Sequence, residues 1–202
     1  MKKYFALIIL FLANFVYANG IALYDAPSGS CFRLLRSKVD VSVNNQIATI
    51  KTINTFINET GSDKKVQFCF PDDSTASGID LVYKVSGFWY SAKISATEPD
   101  TTHPGGSLAA NIKNYLGNSP LYFNIQQTVK KDSILVVEYT HIKFLEYNNG
   151  IVNYSFPNDY RLIQSRYLLS QEFNFNLSSD RDIDTLIFKN HIGDIKVSIP
   201  LS

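Results

Sequence analysis

Residues 39–71 read VDVSVNNQIATIKTINTFINETGSDKKVQFCFP, three strand patterns in one run with a short turn after each of the first two. Val39, Val41 and Val43 alternate with Asp40 and Ser42, the period of two that marks a half-buried strand. Asn44 and Asn45 then supply the residue type that best tolerates a hairpin turn. A second strand over 47–57 is rich in β-branched side chains. It places Ala48, Ile50 and Phe56 on one side of the pleat and Ile47, Ile53 and Ile57 on the other, so both faces are expected to be at least partly covered. After a turn at 58–63, Val66, Phe68 and Phe70 alternate inward, and Pro71, with no N–H to give a ladder, ends the third strand.

Outward from this run, the same reasoning finds more strands. Residues 79–85 and 88–94 form a hairpin around Ser86-Gly87, residues 121–129 and 133–142 flank a Lys130-Lys131-Asp132 turn, and 151–156 follows the turn Asn148-Asn149-Gly150. The apolar segment 134–137 suits a central position in a sheet. Phe173, Phe175 and Leu177 alternate with polar neighbours, as do Ile195, Val197 and Ile199, with a further strand expected over 183–188. Val41, Ile50, Phe68 and Phe175 each sit on the apolar phase of their strand and are expected in the core. Between 96 and 106, Pro99, Pro104 and a Gly pair around His103 mark a loop. Ser107 then caps a helical pattern carried by Leu108, Ile112, Tyr115 and Leu116 and stopped at Gly117, the one helix expected.

The first eighteen residues read as an export signal. Lys2 and Lys3 form its basic start, 7–15 its apolar core and Val16-Tyr17-Ala18 its small-residue site, which predicts cleavage between Ala18 and Asn19. The apolar run is shorter than the ~20 residues needed to span a bilayer, and no membrane span is expected after cleavage. The expected location is secreted or cell-surface, meaning periplasm or outer surface in a bacterium. The formal charge of +1 becomes −1 when the two signal lysines are removed, and the charges are scattered singly. Phosphate backbones and anionic lipids therefore find no basic face, and a nucleic-acid partner is not expected.

The central run also carries a resemblance. Ile47-Ala48-Thr49-Ile50 running into Thr55-Phe56-Ile57-Asn58, a polar turn and a strand closing on Phe70-Pro71 resembles the vault protein inter-alpha-trypsin (VIT) domain. The short loop 72–77 leading into Gly78-Ile79-Asp80-Leu81, then 121–125 and 133–139, extends the likeness over about residues 33–165. It implies an antiparallel β-sandwich with one short helix, preceded by a lead-in at 19–32. Residues 166–202 are expected to pack on that domain or to lead to a further one. In longer VIT proteins a strand set of this kind precedes a von Willebrand A domain, which this chain lacks. The implied role is a non-catalytic interaction module of the inter-alpha-trypsin inhibitor heavy chain type, making protein contacts or adhering at the cell surface, with no cofactor.

The residues themselves offer little catalytic chemistry. Asp73-Ser74-Thr75-Ala76-Ser77 has the spacing of a metal-ion adhesion site but fills a turn between β-strands, where the remaining oxygen ligands are not expected. His103, His141 and His191 are far apart, and no nucleophile elbow, zinc motif or phosphate loop occurs, so neither a metal nor a catalytic residue is assigned. Cys31 and Cys69 could form a disulfide in an exported chain. If both neighbouring strands pair with 47–57, however, the two lie two ladder spacings apart, roughly 9–10 Å, which favours separate apolar residues. Asn58, Asn153 and Asn176 each match the glycosylation acceptor pattern. Phe88-Trp89-Tyr90 cannot all face one way, so Trp89 points opposite to its neighbours. The favoured reading covers both faces of that strand; the alternative makes Trp89 and Tyr90 an exposed platform for a glycan or protein partner. A hydrolase with acids at 72–77 is the third reading, behind the carbohydrate-binding one.

Overall fold

The computed structural model describes residues 21–25, 27–71, 75–92, 115–116, 120–161, 163–183, 185, 187 and 194–198. Among them are thirteen strands: β1 (Ala22–Asp25), β2 (Ser30–Cys31), β3 (Arg33–Asn44), β4 (Ile47–Ile57), β5 (Gln67–Phe70), β6 (Ala76–Val85), β7 (Phe88–Ala92), β8 (Leu121–Asn124), β9 (Ile134–Phe144), β10 (Tyr147–Asn148), β11 (Ile151–Val152), β12 (Ser170–Ser178) and β13 (Asp194–Ser198). A large sheet runs in the order β13-β12-β3-β4-β9-β6-β7, a small one in the order β2-β1-β5-β8, and β10 and β11 pair alone. The protein is thus a mostly β fold with its two main sheets packed as a sandwich.

The turns follow from local chemistry. Asn45, at φ 55°, closes the hairpin that pairs Asn44 with Ile47. Ser86 and Gly87 have φ of 52° and 88°, and Asn149 and Gly150 have 51° and 83°, the left-handed pairs that match hairpin loops to the twist of the strands. Asp132, at φ 58°, turns the chain into β9. One irregularity matters. A register shift at Leu35 lets Leu34 and Ser37 both face inward across from Phe56 and Asn54, so the bulge brings the start of β3 into phase with its valines.

The sheets enclose a core to which the small sheet gives Leu23, Phe68 and Phe70 and the large one Leu34, Phe56, Leu135, Val137 and Tyr139. The Phe70 and Tyr139 rings sit 4.9 Å apart. Further along the large sheet Val39, Val41, Val43, Ile50 and Phe175 join Leu145. All four residues expected in the core are buried there. Behind the small sheet, Ala22, Tyr24 and Cys69 pack against Tyr115 and Leu116. Those two are the described helical residues of the predicted helix; residues 107–114 and 117 lie outside the described residues, as do the export signal with Ala18 and Asn19, and also Asp73 and His103.

Several expectations need correction. β5 does not pair with β4: it lies in the small sheet between β1 and β8, and β9 takes the place beside β4. Residues 19–32, read as a lead-in, hold β1 and β2, with Ile21 through Tyr24 buried. The large sheet is antiparallel only from β3 to β7, since β12 runs parallel to both β3 and β13. Parallel neighbours require a long crossover. Between β12 and β13, Ile183 and Ile187, expected in a strand, are irregular and exposed, while residues 184, 186 and 188 of that expected strand lie outside the described residues. The strands expected at 121–129 and 151–156 shorten to β8 and β11. Finally, Ile47, expected under cover, is 52% exposed, because the outer side of β4 faces away from the small sheet.

Candidate functional site

β7 is an edge strand, and its register sets Trp89 across from Lys84 and Ser91 across from Val82, which in turn faces Glu138 on β9. Alternation therefore sends Trp89 and Ser91 to the outer side, while Tyr90 turns inward and stacks on Tyr83 at 5.5 Å. Trp89 is 51% exposed, against the expectation that this strand is covered on both faces. Its ring has the Lys84 ammonium over it at 5.6 Å. Val82, Trp89, Tyr90, Ser91 and Glu138 line a shallow depression of about 380 Å³. The Glu138 carboxylate accepts from Lys51 at 2.8 Å, and that hydrogen bond is the first cause of the raised pKa of Lys51. The place offers an indole face, a hydroxyl and a carboxylate side by side. Trp89 was legible from alternation; Val82, Glu138 and Lys51, from other strands, were not.

A second concave surface lies where β1, β2 and β3 meet the turn after β4. Ser28, Ser30, Cys31, Arg33, Glu59, Thr60 and Lys64 line a cleft of about 380 Å³. At its floor Lys64 Nζ bonds Asp25 Oδ2 at 2.7 Å, and Ser28 donates to the same oxygen. Burial raises the pKa of Asp25, but the Lys64 and Ser28 hydrogen bonds outweigh it and hold the carboxyl below its ordinary value. The wall is a built turn. Asn58, fully buried, donates to the carbonyls of Ser62, Val129 and Lys130 at 2.9, 3.0 and 3.2 Å, and its Oδ1 accepts from Thr60 N and Oγ1. The Asn58 acceptor pattern is therefore a structural node, whereas Asn153 and Asn176 are exposed. Lys64 is fixed from behind by paired backbone hydrogen bonds with Val129.

The sequence pointed to none of these cleft residues as a set. The string DAPSGS at 25–30 reads as a turn, and its relation to Arg33, Glu59 and Lys64 exists only after folding. Cys31 and Cys69 are free thiols on the two strands that flank β1, opposite Tyr24 and Ala22. The intervening strand is β1, not β4 as the sequence suggested, and a bond between them would require its displacement. Burial pushes the Cys31 thiol up to about 12, far from a reactive thiolate. His141 is an interior ring, stacked at 5.1 Å on Tyr139. Ser77 of the adhesion-like string lies within the β6–β9 ladder. Among the described residues no three His, Cys, Asp or Glu side chains gather as metal ligands, and no helix is long and apolar enough to cross a membrane.

Fold and surfaces together define a β-sandwich with one open sheet face and a polar cleft at one end. No family model matches the chain, and no curated protein matches it. Among solved structures, a candidate nutrient binding protein from Legionella pneumophila is similar at a TM-score of 0.41, with 13% identity over 65% of this chain. The chain spans 46% of the length of that structure. A likeness of this extent carries no information about ligand or chemistry.

Proposed function

We propose that this protein is an exported, non-catalytic interaction module that contacts a protein partner through the outer face of its large sheet, centred on Trp89. The observation that carries the reading is a half-exposed tryptophan beside Val82 and Glu138 on a rigid ladder. Tryptophan concentrates binding energy when a partner desolvates it, and a flanking carboxylate gives such a contact direction. The strand pattern that resembles VIT domains supports the same role at the cell surface. The absence of a turnover function is part of the proposal: the thiol lining the cleft is held protonated, and the histidine on β9 is a packing residue.

A second reading, a glycan ligand, is favoured by the pairing of the indole face with Ser91 and Glu138, since a sugar ring offers both C–H faces and hydroxyls. The chain has one tryptophan, so its emission reports on this surface alone. Surface proteins that bind the purified module are expected to shift Trp89 emission to the blue and to lose affinity at least tenfold with Trp89→Ala. A shift produced by oligosaccharides instead would select the glycan reading. Saturable partner binding with unchanged emission and an unaffected Trp89→Ala variant would remove this face from the function.

A further inference from the structure

The hydrogen-bond directions in the cleft at the end of the small sheet specify a ligand. Ser28 commits its proton to Asp25, so in the 2.5 Å contact between Ser28 and Ser30 it is Ser30 that donates. Thr60 gives its proton to Asn58 Oδ1 at 2.6 Å. The hydroxyls of Ser30 and Thr60 thus show the cleft their lone pairs. Its donors are cationic. Arg33 and Lys64 line it, and Arg33 shares the single carboxylate of Glu59 with Arg166, which stands outside the lining, each at 3.3 Å, the long end of hydrogen bonding. Arg33 Nε is enclosed without an acceptor. Three cations (Arg33, Lys64 and Arg166) face two carboxylates (Asp25 and Glu59), leaving one positive charge in excess.

We infer that this cleft binds a small monoanionic hydroxycarboxylate, its carboxylate on the Arg33 side and its hydroxyl groups donating to Ser30 and Thr60. A flat two-oxygen acceptor suits a guanidinium, and one excess charge matches a monoanion better than a phosphate dianion held near Glu59 and Asp25. The frame is stiff enough to keep this geometry, because Asn58 ties down the turn and the Val129 bridge fixes Lys64. This site is separate from the Trp89 face and does not depend on it.

Titration calorimetry of the full chain in low salt, with D-glucuronate, D-gluconate, D-glucose and inorganic phosphate as probes, tests the assignment. Saturable binding of one or both hydroxy acids is expected, with glucose and phosphate at least tenfold weaker. Arg33→Gln should weaken binding at least tenfold, Arg166→Gln a few-fold, and Trp89→Ala should leave it unchanged. Amide chemical-shift changes on adding the hydroxy acid should centre on residues 28–33 and 59–64. If Arg33→Gln does not fold, Arg166→Gln, on an exposed side chain, still decides. No binding of either hydroxy acid, equal binding of phosphate or glucose, or an unchanged affinity in the arginine variants would overturn the proposal.

Discussion

The two faces of the large sheet are built from the same residue types and end in opposite surroundings. On β9, Leu135 and Val137 are fully buried, while Ile134 on the other side is 51% exposed; on β4, Ile50 is buried and Ile47 is not. The difference lies in what packs on each side, since the small sheet and, beside Ile50, Leu145 and Tyr154 cover one face and no described residue closes the other. The contrast recurs in polar chemistry. Asp25–Lys64 and Glu138–Lys51 are ion pairs of nearly equal length, 2.7 and 2.8 Å, yet the carboxylate side chain is 3% exposed in the first and 22% in the second. Asn58 and Asn153 share an acceptor pattern, one a buried node and the other in water. Residue identity sets what a group can do, and enclosure sets how much it is worth.

The largest test of that contrast is a pair of apolar truncations. Phe68→Ala should cost about 3–5 kcal/mol by removing a ring packed between the sheets, whereas Ile134→Ala should cost below ~1 kcal/mol. Urea unfolding of both variants checks it, and similar losses would mean that the outer face is covered. Next come the asparagines. Asn58→Ala removes three hydrogen bonds to carbonyls and the acceptor of the Thr60 N–H and hydroxyl and should cost about 1–3 kcal/mol, while Asn153→Ala should stay within ~0.5 kcal/mol.

The ion pairs separate by pH and salt. Because the folded Asp25 carboxyl titrates below its unfolded value, its stabilisation is complete at neutral pH and is lost as pH falls below about 4. Asp25→Asn should therefore cost about 1.5 kcal/mol at pH 7, with the gap from wild type closing in acid and changing little with salt. Glu138→Gln should cost ~0.5 kcal/mol and lose that effect in high salt. Denaturation midpoints across pH and salt distinguish the two, and identical salt responses would break the comparison. Trp89→Ala, too, should change stability by below ~1 kcal/mol, the worth of its exposed contact with Lys84, although the residue is proposed to dominate binding.

Much of the strand inventory is local information. The Asn45, Ser86-Gly87 and Asn149-Gly150 turns, the stop at Pro71 and the valine alternation of β3 were all readable, because a hairpin is decided by a few adjacent φ values and a period of two. Trp89 was readable as pointing away from Tyr90 for the same reason. Beyond the hairpins, which strands become neighbours was not readable. β5 follows β4 in sequence yet crosses to the other sheet, and β12 returns to lie parallel beside β3 more than a hundred residues away, pairing Ser170 with Arg36. Alternation says that one side of a strand is apolar but does not name what will cover it.

The same limit governs the sites. The sequence determined by itself that the chain makes β-strands joined by tight turns, and that its aromatics, thiols and acids fall where they do along it. Tertiary structure decided that Asp25, Arg33, Glu59 and Lys64 share a cleft and that Glu138 stands near Trp89. Those juxtapositions depend on sheet order, and sheet order is fixed by long-range burial, a cooperative property of the whole core that no local pattern contains.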